Sequence, residues 1–237
     1  MKKIFAKIRF YYGAFIISFI TATVMIPLIM FFQKQRATIR HKLNALMLYL
    51  LGGRVIEDGT IDKNANIYIM NHQGIIDIVA LEATHNLDMS WVAKKELFDA
   101  IWFGRVLKDS DMISINRSDK RGLIKLLKDA KHSLYQQKRP IAIFPEGTRT
   151  DKQRLLTFKA GAKLLAQNLK LKVQPIVITG SKQLLNEHSK EASSSTVRFK
   201  YLPTIDVANS DEHWYENTKK DMQDEIDHEY TNHHRSR

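Results

Sequence analysis

Residues Ile67–Asp77 read IYIMNHQGIID, and the fold is built outward from this stretch. Its first four residues are apolar, which predicts a short buried strand. Gly74 marks a turn, and the apolar residues after it predict a helix over Ile76–His85. His72 therefore stands at the carboxyl end of a strand, and Asp77 lies in the first turn of the next helix.

This placement of His72 and Asp77 suits proton transfer. A carboxylate facing the imidazole across the turn can accept a hydrogen bond from one ring nitrogen, which leaves the other nitrogen as a base. A lone His-x4-Asp pair is more often a histidine and a helix-capping aspartate without a joint role. A second polar block, FPEGTR at Phe144–Arg149, follows another strand-like run and favours the catalytic interpretation.

Short apolar runs alternate with helical patterns over the rest of the chain. This pattern predicts an α/β fold with a mixed sheet covered by helices on both faces. Ligand sites in such folds gather at the carboxyl ends of strands, where both polar blocks lie. The predicted strands are Arg54–Glu57, Ile67–Met70, Ser90–Ala93, Met112–Ile115, Ile141–Phe144, Val173–Ile178 and Val197–Tyr201, and the further predicted helices are Lys120–Gln137 and Leu155–Leu169.

Composition limits the chemistry and indicates the partner. The 237 residues include no cysteine, which excludes disulfides, thiolate metal sites and a Cys nucleophile. The formal net charge of +12 implies a polyanionic partner, either nucleic acid or an anionic membrane surface.

The amino-terminal segment favours the membrane. No charged residue occurs from Phe10 to Gln33, and at ~1.5 Å per residue a helix of that length would cross a bilayer's hydrocarbon core. The run is too long for a secretory signal peptide, and no small-x-small cleavage site follows it. We therefore divide the chain into a membrane-anchoring helical segment, residues 1–51, and an α/β domain with a polar carboxyl-terminal helix, residues 52–237.

The geometry of the anchor stays open at this stage. Pro27 is expected to bend or end the helix. The following segment, Gln33–Leu51, has one apolar stripe beside a cationic face, which suits a helix lying in the headgroup layer. Either a single spanning helix or a bent pair embedded in one leaflet is possible, and we favour the pair, on the cytoplasmic face. Its basic residues, expected to attract anionic lipid, are Lys34, Arg36, Arg40 and Lys42.

Several common sites are missing from the sequence. There is no Gly-x-Gly-x-x-Gly, Walker phosphate loop, Gly-x-Ser-x-Gly or His-Glu-x-x-His pattern. We therefore predict no cofactor and no metal. The His-rich stretch Asp211–Arg237 is predicted to be a polar terminal helix rather than a metal site.

At the level of families, the chain resembles the glycerophospholipid acyltransferases. The resemblance rests on Asn71–Gln73 with Asp77, on Phe144–Arg149, and on their order and separation, and it extends over Ile67–Ile178. Within that family the chain is most similar to the 1-acylglycerol-3-phosphate O-acyltransferases. The resemblance implies transfer of a fatty acyl group from acyl-CoA or acyl carrier protein to lysophosphatidic acid, giving phosphatidic acid, with membrane lipids as partners.

The resemblance and the chemistry together assign the site. His72 is predicted to be the general base and Asp77 its orienting partner. A guanidinium grips phosphate with paired hydrogen bonds, which makes Arg149 the first candidate for the acceptor phosphate and Arg117 the second. The turn Glu146–Thr148, with Gly147 at its centre, is expected to add backbone N–H groups, and Glu146 to position a basic side chain.

Two other classes of function remain as alternatives. The chain resembles no nucleic-acid-binding module, and such a domain would need no apolar anchor, so no nucleic-acid partner is predicted. A non-catalytic protein that docks on anionic lipid is the other alternative, and the intact His72 and Asp77 argue against it. An acyltransferase acting on a different lyso-lipid acceptor would keep the same base.

Overall fold

The amino-terminal residues form a long helix and a second helix that returns beside it. The computed structural model describes residues 2–101, 103–116, 121–150 and 152–235. The first helix has two parts, α1 (Lys2–Ile20) and α2 (Ile26–Phe31), joined by a π-helical turn over Thr21–Met25. Pro27 lies in the first turn of α2, so it marks the π-helical turn without ending the helix. A 3₁₀ turn, Gln33–Gln35, leads into α3 (Arg36–Leu50).

The rest of the chain alternates strands and helices. The first half contains β1 (Gly53–Asp58), β2 (Ile67–Met70), α4 (Ile75–Thr84), β3 (Ser90–Lys94), α5 (Lys95–Phe98), α6 (Phe103–Asp109), β4 (Ile113–Ile115) and α7 (Arg121–Lys131). A π-helical turn, His132–Gln136, follows α7. The second half contains β5 (Ile141–Ile143), α8 (Ala160–Leu169), β6 (Lys172–Thr179), α9 (Ser181–Leu184), β7 (Ser195–Tyr201), β8 (Ile205–Asp206) and α10 (Trp214–Arg235).

The described strands form one mixed sheet in the order β1-β7-β6-β2-β5-β3-β4, with β8 paired to β6. The five strands from β6 to β4 run parallel, whereas β7 and β8 run antiparallel to β6. Because β2 lies between β6 and β5, the residues that follow β2 and β5 meet at one edge of the sheet. This adjacency brings the two polar blocks together, although they are more than 70 positions apart in sequence.

Helices cover both faces, as the sequence predicts, and β2 shows how. Tyr68 and Met70 point into a core shared with α1, α3 and α4, whereas Ile67 and Ile69 point into a core shared with α7, α8 and α10. All four side chains are buried, which explains why β2 is apolar throughout instead of alternating.

Most predicted elements are confirmed within two residues, with one clear error. Helix α8 begins at Ala160 and not at Leu155, because residues 155–159 form an irregular segment tied to the site: Leu156 N donates to Glu146 Oε2 (2.7 Å). The short elements α5, α6, α9 and β8 carry too few periodic positions to be read from the sequence.

Helix α3 differs from its predicted role. Its Arg40 is buried and donates from Nε to Glu82 Oε2 at 3.2 Å, and Arg36 is paired with Asp88 and Asp111. The prediction that these two arginines face lipid headgroups is therefore wrong. The physical reason is that α3 packs on α4 and its arginines meet acidic side chains: Glu82 lies on α4, and Asp88 and Asp111 lie in the loops before β3 and β4. Lys34 and Lys42 are exposed.

Candidate active site

The turn after β2 is fixed by the side chain of Asn71. Its Nδ2 donates to Ile178 O (2.8 Å), and its Oδ1 accepts from Ile178 N (2.7 Å). The amide therefore pairs with the backbone of β6 as another strand residue would. Gln73 ties the other side of the turn, since its Oε1 accepts a hydrogen bond from Ser181 Oγ (2.9 Å). His72 is thus held between two anchored neighbours.

His72 and Asp77 meet as predicted. Nδ1 of His72 lies 2.9 Å from Oδ2 of Asp77, whose carboxylate is fully buried. The same oxygen accepts from the backbone N–H groups of Gln73 (2.6 Å) and Gly74 (2.9 Å). Two backbone N–H donors already point at Oδ2, so the ring nitrogen that faces it is best satisfied as a third N–H donor. In the neutral ring with that tautomer, Nε2 carries the lone pair.

An aromatic wall fixes the plane of the imidazole. The ring of His72 stacks on Phe144, with centroids 3.8 Å apart and planes 12° apart. Trp91 stacks on Phe144 in turn at 5.4 Å and donates its indole N–H to Glu82 Oε1 (2.7 Å). Sequence reasoning missed Trp91 and Glu82 as supports of His72, because neither belongs to a motif and only the fold brings them beside Phe144.

Glu146 is buried and accepts hydrogen bonds from two backbone N–H groups. Its buried carboxylate accepts His72 N at Oε1 (3.0 Å) and Leu156 N at Oε2 (2.7 Å). Burial raises the pKa of this carboxyl, and the two backbone N–H groups oppose that effect. Among the described residues Glu146 contacts no Arg or Lys, and because Arg117 lies outside them, the role of Glu146 in positioning a basic side chain stays a prediction. What the structure shows is that Glu146 joins the His72 turn to the segment that precedes α8.

The rest of the second block turns outward. Gly147 adopts a φ of 71°, which favours glycine, and its N–H donates to Phe144 O (3.0 Å). This N–H is therefore used within the turn, and the prediction that the backbone N–H groups of Glu146–Thr148 bind the acceptor anion stays a prediction. Thr148 and Arg149 are exposed, as a group that meets a soluble or lipid substrate must be.

Arg149 pairs with Glu187, a residue that sequence reasoning missed. Nη1 of Arg149 contacts Glu187 Oε2, and Glu187 Oε1 accepts Ile75 N (2.9 Å) at the start of α4. Glu187 lies in the loop between α9 and β7, outside every recognisable motif, so no sequence signal pointed to it. Arg117 lies outside the described residues, and its assignment to the acceptor stays a prediction.

Metal ligation has one geometric candidate within the described ranges. Donor atoms of Glu225, His228 and Glu229 on α10 lie within 4.8 Å of one another. Arg198 already approaches Glu229 at 3.9 Å, and His228 is exposed, so we assign no ion there.

The fold and this geometry define a class: an α/β protein with a histidine–aspartate pair at the carboxyl edge of a mixed sheet. A model of the acyltransferase family matches residues 53–179, which contain the described site residues except Ser181 and Glu187. The chain is 35% identical over 221 residues to a 1-acyl-sn-glycerol-3-phosphate acyltransferase of Helicobacter pylori, covering 92% of each chain. It therefore belongs to the acyltransferase family.

More distant relatives agree with this assignment. A protein of the same name from Cocos nucifera is 28% identical over 166 residues, which are 70% of this chain and 54% of that protein. The crystal structure of the 1-acyl-sn-glycerophosphate (LPA) acyltransferase of Thermotoga maritima superposes with a TM-score of 0.80 over 96% of this chain and 97% of that one, at 18% identity. The latter comparison establishes that the whole fold is shared, including the amino-terminal helices.

Proposed function

We propose that this enzyme transfers a fatty acyl group from a thioester to the sn-2 hydroxyl of lysophosphatidic acid, which yields phosphatidic acid for phospholipid synthesis. The observation that carries the proposal is the hydrogen bond from His72 Nδ1 to Asp77 Oδ2 within a chain of the acyltransferase family. The names of the relatives supply the acceptor.

His72 acts as the general base in this proposal. Its Nε2 takes the proton of the acceptor hydroxyl while the oxygen attacks the thioester carbonyl carbon. The tetrahedral intermediate collapses, the C–S bond breaks, and His72 returns the proton to the leaving thiolate. Asp77 stabilises the transient imidazolium and keeps the ring in the correct tautomer, and Phe144 keeps its plane fixed.

Arg149 is the proposed partner of the acceptor phosphate. It is exposed, and its guanidinium can donate two parallel hydrogen bonds to phosphate oxygens. Thr148 precedes it and is also exposed, and Arg117 remains the second candidate. Glu146 and Gly147 belong to the same proposed site: the Glu146 carboxylate holds the backbone of the His72 turn, and Gly147 shapes the turn that presents Thr148 and Arg149.

The acyl donor is proposed from the reaction, and the location of the enzyme from its first helix. We propose acyl-CoA or acyl-acyl carrier protein as the donor, which requires no further cofactor. The long helix Lys2–Phe31 is a candidate membrane anchor by length and hydropathy, with 33% of its apolar window buried in the protein. We propose that it holds the enzyme on the cytoplasmic face of a membrane, where thioester donors are soluble.

A direct assay tests the proposal. The full-length enzyme in detergent micelles is given labelled acyl-CoA or acyl-acyl carrier protein with lysophosphatidic acid, glycerol 3-phosphate or lysophosphatidylethanolamine, and the products are separated by thin-layer chromatography. Phosphatidic acid should be the dominant product. Preference for another acceptor would refute the substrate assignment and keep the reaction class, and no transfer to any acceptor would refute both.

A further inference from the structure

Glu187 contacts Arg149, the residue that the proposed function assigns to the acceptor phosphate. Its Oε2 contacts Arg149 Nη1, and its Oε1 accepts the N–H of Ile75, the first residue of α4. Ile75 is three positions after His72, so the carboxylate lies beside the turn that carries the proposed base. Both side chains of the ion pair retain access to solvent, at 40% for Arg149 and 25% for Glu187.

The loop that carries Glu187 is closed and anchored. Asn186 N donates to Glu191 O (2.8 Å), and Asn186 Oδ1 accepts the backbone N–H groups of His188 (2.9 Å) and Ser189 (3.0 Å). Ala192 N donates to Ala6 O of α1 (3.0 Å), which fixes the loop to the candidate anchor helix. Glu187 is thus presented to Arg149 by a short ordered turn and not by a freely moving chain.

We infer that Glu187 is a built-in competitor of the acceptor phosphate, which holds Arg149 in the resting enzyme and lowers the apparent affinity for the acceptor. This inference rests on the proposed function of Arg149. A carboxylate and a phosphate are both oxyanions, and one guanidinium edge binds either of them. An acceptor whose phosphate takes the edge of Arg149 that carries Nη1 must therefore first displace Glu187.

Competition of this kind has a defined signature. When the binding-competent form is only a fraction of the population, the apparent dissociation constant rises by the inverse of that fraction. Neutralising Glu187 removes the competitor, and Gln at this position keeps an oxygen that can accept the Ile75 N–H. In this proposal the acyl donor does not bind Arg149, so the KM for the donor should be the same in Glu187→Gln as in wild type.

The test is binding of inorganic phosphate to the detergent-solubilised full-length enzyme, followed by phosphorus NMR line broadening at constant ionic strength. Glu187→Gln should bind phosphate about two- to fivefold more tightly than wild type, the range expected for releasing a half-exposed ion pair. Its KM for lysophosphatidic acid should fall by a similar factor while the KM for the acyl donor stays unchanged.

Glu191→Gln is the matched control, since it removes the same charge from the same loop and leaves Arg149 paired; its phosphate affinity should equal that of wild type. Should Glu187→Gln fail to fold, Glu187→Asp replaces it: this side chain is too short to bridge Arg149 and Ile75 N together, and a smaller gain is expected.

Phosphate affinity in Glu187→Gln equal to or weaker than that of wild type would overturn the inference, because Glu187 would then be holding Arg149 in its binding position. The two proposals fail separately. An enzyme whose phosphate binding responds to Glu187 but which makes no phosphatidic acid refutes only the proposed function. An active enzyme whose phosphate binding is indifferent to Glu187 refutes only the competition.

Discussion

His72 is held in place by three separate constraints. Its Nδ1 is hydrogen-bonded to Asp77, its ring stacks on Phe144, and its backbone N–H donates a hydrogen bond to Glu146. Each constraint restricts a different freedom: the tautomer, the plane of the ring, and the position of the main chain. A base held in this way loses little orientational freedom when the acceptor hydroxyl arrives.

Replacing His72 by Ala should therefore remove catalysis without unfolding the protein. We expect the acyl transfer rate to fall by ~10²–10⁴, the usual contribution of a general base. The measurement is the initial rate of phosphatidic acid formation, with the circular dichroism spectrum and thermal midpoint as controls for folding. A well-folded variant within a few-fold of the wild-type rate would contradict the mechanism.

Asp77→Asn should be inactive for a related reason and less stable as well. Oδ2 of Asp77 accepts three hydrogen bonds, and an amide with less negative charge on its oxygen weakens all of them. We therefore expect a lower melting temperature in addition to the lost rate, whereas His72→Ala should change the rate far more than the melting temperature. Normal activity in Asp77→Asn would show that the imidazole needs no orienting carboxylate.

Arg149→Lys separates charge from geometry at the acceptor. Lysine keeps the positive charge but cannot form the paired hydrogen bonds of a guanidinium. The apparent KM for lysophosphatidic acid should rise several-fold, and the KM for the acyl donor should change little. Steady-state kinetics with each substrate varied in turn provide the measurement. Equal changes in the two KM values would indicate that Arg149 has a structural role and does not bind the acceptor phosphate.

Helices α3 and α4 are joined by a cluster of charges beneath the aromatic wall. Asp88 accepts hydrogen bonds from Arg36 (3.2 Å) and Arg40 (3.0 Å) and pairs with Arg139 at 3.0 Å. Burial alone would raise the pKa of Asp88, but Arg139, Arg40 and Arg36 outweigh it and hold the pKa below its ordinary value of 3.8. Glu82 links this cluster to Trp91 and so to the support of His72.

Stability should consequently depend on pH through Asp88. Its folded-state pKa lies below the unfolded value, so the contribution is fully present above the ordinary value of 3.8 and is lost as the pH falls through the depressed folded value. Asp88→Asn should cost about 1.5–3 kcal/mol at neutral pH, the range for hydrogen bonds to charged groups. Thermal melts of both proteins from pH 7 to pH 3 should show this difference shrinking at the acid end. A constant difference over that range would rule out the ionised carboxylate as its source.

The whole molecule presents one apolar flank along its first helix. The large apolar side chains exposed there include Ile4, Phe5, Ile8, Tyr11, Phe15, Phe19, Met30, Phe31 and Phe32. The opposite side of the same helix, with Ile17, Ile20, Met25 and Ile29, belongs to the core. A patch of this size on a water-soluble surface would favour aggregation, and burial in lipid removes it at ~1.5–3 kcal/mol per side chain.

Membrane attachment should accordingly resist high salt and alkaline carbonate and yield to detergent, because apolar burial is insensitive to ionic strength. Placing Glu at Ile8 and Phe15 should shift the enzyme from the membrane pellet toward the soluble fraction. The matched control places Glu at Ile56 and Ile124, which are also exposed but lie on β1 and α7. Release of the wild-type protein by salt alone would contradict apolar anchoring.

Deleting Met1–Gln33 would not give a clean test of membrane attachment. The deletion would take Ile17, Ile20, Met25 and Ile29 out of the core, so loss of activity would follow from unfolding whether or not the helix binds lipid. For the same reason the division of the chain at residues 51 and 52 stays a prediction, since the helices before it share a core with the sheet.

The features that could be read from the sequence are local or periodic. Local sequence determines three of them: the bounds of β2, the helix after Gly74, and the facing of His72 and Asp77. Each depends on neighbours within about ten positions, so its pattern can be recognised without knowledge of the tertiary contacts. The alternation of strands and helices likewise predicted a sheet covered on both faces, and the carboxyl ends of its parallel strands gathered the site.

The remaining features depend on contacts between distant parts of the chain. Glu187 reaches Ile75 across 112 positions and Arg149 across 38, and Arg40 reaches Glu82 across 42. No spacing in the sequence predicts such pairs, because tertiary packing alone determines which distant residues come into contact. A cationic stripe on α3 is equally compatible with lipid headgroups and with buried carboxylates. The packing of α3 on α4 decided between them, and the fold of the α9–β7 loop placed a carboxylate on the arginine proposed to bind phosphate.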